Sequence, residues 1–216
     1  MNQDRLSHPR WLEIAKAKID NGLSRIGRTL DSSHPVDRAL MILAGRMVAV
    51  ADAVALLSLR DHAAEAPPLS AGLIGFAAEM REIVRDAGDE RARRFMDGAS
   101  VVLGGDPRWA GELDGRLERL GFQEPLRRAA SAWQNDFVRG GPGGLPWSHL
   151  FDFPPGAHAS EQDWVEVAAM AMGHALKALE ARWPKAFRGA AEELWSEIAR
   201  DRPRAGERSR SEKQGE

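Results

Sequence analysis

The chain contains no cysteine and no tyrosine. The first absence removes disulfide staples, thiolate nucleophiles and every zinc or iron–sulfur site built on Cys, so any metal would have to sit on His and carboxylates. The second removes the phenol as a general acid or nucleophile. Aromatic residues are sparse, at 6%. Neither sign of charge dominates: 30 Lys and Arg stand against 32 Asp and Glu, a formal charge of −2. Without a global positive field, nothing favours nucleic acid or an anionic membrane as the partner. Residues 1–19 intersperse polar and apolar positions and lack the unbroken apolar core of a signal peptide, so the cytoplasm is the expected location.

Apolar residues, 43% of 216, suffice for one globular core without covalent help. One run, residues 39–59, is long enough to cross a bilayer. Its nine Leu, Ile and Val residues favour insertion by roughly 3 to 5 kcal/mol, whereas Arg46 and Asp52 near its middle cost about 5 to 7 kcal/mol. The charges win. The run reads as the long central buried helix of a soluble domain, with no membrane partner.

Apolar positions recur at steps of three and four from end to end, and no segment alternates with period two. The expected fold is therefore all-α: a single-domain bundle of about seven to eight helices over residues 1–200, with a disordered polar tail at 201–216. The first helix carries Trp11, Ile14, Ile19, Leu23, Ile26 and Leu30. The second opens with Pro35 and Asp37 in its first turn and runs on the seam Val36, Leu40, Leu43, Met47, Val50, Val54, Leu57. Pro67 and Pro68 break the pattern before a third helix through Leu69, Leu73, Phe76, Met80 and Ile83. Further stripes start near Asp89, Asp106, Pro125 and Ser160, and Pro184 separates the last two. Glycines inside the helical pattern, among them Gly45, Gly72 and Gly173, each cost about 1 kcal/mol relative to Ala, which suggests close backbone approach at helix crossings.

Two groups offer chemistry. At the end of the second helix, Asp61 and Glu65 fall on the side of Val54 and Leu57, with His62 at the edge, an arrangement suited to a divalent metal or to acid–base work. The second group lies in a Gly- and Pro-rich loop, residues 139–159, too rich in both to be helical and too long to be an ordinary connection. Trp147, Phe151 and Phe153 there are expected to dock on the bundle and to line a ligand pocket. His149 and His158 flank Asp152 as a proton-transfer cluster. His174 reads as a flank position, about 100° from the centre of its helix's stripe. Glu79, Glu82 and Asp86 read as solvated pairs with Arg81 and Arg85 on the same helix.

The GGPGG run at 140–144 follows a helix, not a strand, and lacks the Lys and Ser or Thr of a P-loop. A long apolar helix, a following helix that enters through Asp-Glu-Arg-Ala-Arg-Arg-Phe-Met at 89–96, and a later Ser148…His158-x-Ser160 element together resemble a group of uncharacterised bacterial all-helical proteins distantly akin to HEPN domains. The resemblance spans residues 36–180. Relatives of that kind carry Arg and Glu where this chain has Ala71 and Gly75, so it implies a fold and no activity. The Arg-x5-His match of HEPN ribonucleases at Arg28 and His34 carries no weight, because about two such matches are expected by chance from this composition.

The leading expectation is a non-catalytic cytoplasmic interaction or regulatory module that binds a protein partner or itself and needs no cofactor. One competitor is a hydrolase, metal-dependent or ribonuclease-like, with catalytic His62, His149, His158 and Asp152 and a metal at Asp61 and Glu65. Another is a small-molecule sensor with its pocket at Trp147, Phe151 and Phe153.

Overall fold

The computed structural model describes residues 8–59, 66–97, 113–133 and 164–201, and these are helical with no strand among them. In chain order the helices are α1 (His8–Ile26), α2 (Pro35–Leu59), α3 (Ala66–Ile83), α4 (Glu90–Met96), α5 (Leu113–Arg119), α6 (Glu124–Trp133), α7 (Trp164–Arg182), the single turn α8 (Pro184–Phe187) and α9 (Ala190–Asp201). A short 3-10 turn, Gly27–Thr29, closes α1. The all-α bundle expected from apolar spacing is the fold observed.

Several starts and stops follow from local chemistry. Pro35 opens α2, where its missing N–H costs nothing. Pro67 and Pro68 lie inside α3 instead of ahead of it, because the helix begins at Ala66 and both prolines fall in its first turn. Gly189, at φ +71°, separates α8 from α9, so the last predicted helix is two elements.

A long buried helix stands at the centre, and it is α7. Fourteen of its 19 residues are buried, against 10 of the 25 in α2. Helices α1, α2, α3, α6, α8 and α9 all pack on it. Ala168, Ala169, Ala171, Ala175 and Ala178 are buried there. A surface of alanines lets neighbours approach on every side, where larger residues would hold them apart. Its most extensive partner is α3, buried at 12 of 18 positions. The Ser70 hydroxyl donates to the Trp164 carbonyl at 2.9 Å, so both helices begin at the same end of the bundle. Helix α2 lies against this pair with one face only.

Two aromatic side chains fill sockets that exist because a side chain is missing. A Cβ on Gly22 of α1 would fall 2.0 Å from Phe187 Cε1, and one on Gly173 of α7 would fall 2.1 Å from Trp195 Nε1. These confirm close approach at Gly173 and add Gly22. At Gly45 and Gly72 no atom of the described residues lies within 4 Å of an added Cβ, so crossings among the described helices do not account for them.

A buried ion pair ties the start of α2 to the end of α7. Asp37 is fully buried, accepts from Arg182 Nε at 2.6 Å through Oδ1 and from the Asp31 backbone N–H at 2.9 Å through Oδ2. The sequence places Asp37 only as a first-turn acid; its second role depends on a residue 145 positions away.

Two predictions follow from the packing. Gly22→Ala and Gly173→Ala should each destabilise the fold by about 1 to 3 kcal/mol through overpacking, whereas Gly72→Ala should gain up to about 1 kcal/mol; urea midpoints with unchanged slopes would check all three. Arg182→Met strands a buried carboxylate and should cost about 3 to 5 kcal/mol, measured the same way.

Candidate functional site

The residues singled out for chemistry, Asp61, His62, Glu65, Trp147, His149, Phe151, Asp152, Phe153 and His158, all lie outside the described residues, as do the loop at 139–159 and the tail from 202. Among the described residues, no group of three or more His, Asp or Glu is arranged to hold a metal. Three other features emerge there: an ionic clamp, a buried histidine and an exposed apolar face.

The clamp joins α3, α4 and α5. Arg91 donates through Nε to Glu79 Oε1 at 2.9 Å and through Nη2 to Oε2 at 2.6 Å, a bidentate pair, and its Nη2 also meets Glu82 at 2.5 Å. Arg116 of α5 reaches Glu82 through two guanidinium nitrogens and Glu79 at 3.4 Å. Two carboxylates and two guanidinium groups thus cancel in place. The pairing expected within α3 is overturned: Glu79 and Glu82 face α4 and α5. Arg81 and Arg85 turn instead to the end of α5, where Arg85 Nη1 donates to the Arg119 carbonyl at 2.9 Å and Arg81 Nη2 to that of Leu120 at 3.2 Å. Both satisfy carbonyls that a helix end leaves unpaired, with the charge sign that the helix dipole favours.

His174 is not a flank residue. It is 1% exposed, with the Phe122 ring stacked on it at 3.8 Å between centroids and Trp195 tilted against it at 5.1 Å. Its Nε2 lies 2.6 Å from Gln123 Oε1, and facing an amide oxygen this nitrogen carries the proton. The buried Nδ1 has no hydrogen-bond partner among the described residues. Burial, helped by the positive charges of Arg81 and Lys177, pushes its pKa down to about 3. The ring is therefore neutral at pH 7 and a poor proton acceptor. It acts as a flat, polar-edged packing piece that seats the α5–α6 turn on α7. Trp195 completes the seat from the other side, its Nε1 donating to the Met170 carbonyl at 3.4 Å.

The exposed face belongs to α2. Ile42, Leu56 and Leu59 are 38%, 53% and 58% exposed, and they are the only exposed large hydrophobic residues among those described. At 100° per residue they lie on the side opposite Leu40, Leu43, Met47 and Val54. Gly45, Ala49 and Ala53 run between Ile42 and Leu56, with Ala49 and Gly45 exposed. The signal was present in the sequence as apolar residues off the main seam, such as Ile42 and Leu56.

The buried histidine makes stability depend on pH. An unfolded chain takes up a proton at His174 near pH 6.5, whereas the folded chain resists until about pH 3. The unfolded state therefore binds more protons in this window, and stability is lost as pH falls from 6.5 toward 3, by up to about 1.4 kcal/mol per pH unit. His174→Gln should be less stable at pH 7 but should show a flatter stability profile between pH 7 and 5, above the range where carboxylates protonate; parallel profiles for the two proteins would contradict this. No family model, curated protein or solved structure matches the chain.

Proposed function

We propose that this protein works by binding and not by catalysis, as an interaction or regulatory module whose contact surface is the outer face of α2. One observation carries the reading: every exposed large hydrophobic residue among those described lies on one face of one helix. Single exposed apolar residues are ordinary on any protein, but a contiguous patch marks a site that another surface covers. Helix α2 is apolar and long enough to cross a membrane by length and composition, yet well under half of that stretch is buried. Arg46 and Asp52 are exposed on the same side. Two charges on the face oppose a lipid partner and suit a protein surface with a polar rim. The remainder of the described interior supports the same reading, since Glu79, Glu82 and Asp37 are taken up in ion pairs that hold helices together.

The test is site-specific photo-crosslinking in cells, with the reactive group placed at Ile42 or Leu56 of the full chain. Discrete adducts between chains are expected from both positions, and Leu56→Glu should abolish the adduct formed from position 42. Exclusively intrachain products would overturn the reading. So would a loss of more than about 3 kcal/mol of stability in Leu56→Glu, a cost typical of core and not of surface positions.

A further inference from the structure

We propose that the surface covering this face is α2 of a second copy of the chain, packed antiparallel about a two-fold axis at Ala49; the proposal rests on the reading of α2 as a contact surface. Ile42 and Leu56 stand seven residues to either side of Ala49, Gly45 and Ala53 four to either side, and Arg46 and Asp52 three to either side. Antiparallel pairing about Ala49 brings each member of these pairs level with its opposite number. Ile42 meets Leu56 of the second copy at both ends of the contact, about 10 Å from the centre at 1.5 Å of rise per residue. Between them Gly45, Ala49 and Ala53 leave room for the two backbones to approach within the 8–10 Å usual for packed helices.

The charges select the direction. Antiparallel packing sets Arg46 level with Asp52 of the other chain, twice over, within reach of an arginine side chain across a seam of glycine and alanine. Parallel packing would set arginine beside arginine and aspartate beside aspartate. Arg46 has no ion-pair partner among the described residues, and Asp52, exposed, accepts from Lys16 of its own chain through one oxygen and keeps the other for a second donor. Gly45 gains an explanation that the described residues do not supply, since a Cβ there would touch none of their atoms within 4 Å. A contact of this kind is isologous: each copy covers the same face of the other, and association stops at two.

The experiment uses the full chain and its mass by light scattering across roughly micromolar concentrations, with circular dichroism confirming that each variant is helical. The unsubstituted chain is expected to run as a dimer. Arg46→Asp and Asp52→Arg each create two like-charge pairs at the seam and should weaken the dimer by about ten-fold or more. Mixing the two variants restores both Arg–Asp pairs and should restore a dimer containing one of each. Because the chain has no cysteine, Ala49→Cys gives a clean second readout: oxidation should join two chains at that position, which needs Cα atoms within about 7 Å, while Arg188→Cys, at an exposed position in the turn between α8 and α9, should not. An unsubstituted chain that stays monomeric, or a mixture that fails to dimerise, overturns the second copy as occupant. Adducts from positions 42 and 56 at masses other than twice the chain would then leave the binding face standing with a different partner, whereas intrachain adducts alone would remove both.

Discussion

Six of the described helices pack on α7, and the structure depends on its being thin enough to allow them. A helix surrounded on all sides cannot keep a polar stripe, and it cannot carry large side chains all round without forcing its neighbours apart. The alanines at 168, 169, 171, 175 and 178 meet both conditions. At Gly173 even a methyl group is too much, because Trp195 occupies its place. The polar groups on this helix have to be accounted for singly: His174 by stacking and one hydrogen bond, Arg182 by the buried Asp37, Lys177 by Glu192 and the ring of Trp195.

The same constraint explains which parts of the molecule sequence patterning discloses. Helix α2 is legible at its start, marked by Pro35, and along its length, since a half-buried helix keeps a regular seam. Periodicity is informative only where one side is wet. On α7 it fails, and His174 looks like an edge residue because the argument assumes an edge; the better signal is the scarcity of charge from Trp164 to Leu179, where only Glu166 and Lys177 interrupt. Partners from elsewhere in the chain are likewise invisible to spacing. Glu79 and Glu82 have arginines close by on α3, but the bundle gives them Arg91 and Arg116. The candidate residues at 61–65 and 147–158 stand outside the described residues, so the site read from sequence and the face read from structure do not overlap.

The contrast between α2 and α7 carries the functional reading. The more buried helix is built largely of small side chains, while α2, with its nine Leu, Ile and Val residues between 39 and 59, leaves a face in water. Burying a large aliphatic side chain is worth about 1.5 to 3 kcal/mol, so three such residues held outside represent stabilisation that the isolated chain forgoes. In the proposed dimer a second copy recovers it, with the arginine and aspartate on that face setting the direction.

The hub comes late. Helix α7 begins at Trp164, the carboxylate of Asp37 meets its guanidinium only at position 182, and the indole of Trp11 donates to Asp201 at 3.1 Å. As the chain leaves the ribosome, α1, α2 and α3 emerge without the rod they pack around. Closure of this bundle therefore waits for residues 164–201, and contacts this distant in sequence make folding slow relative to a bundle of neighbouring helices.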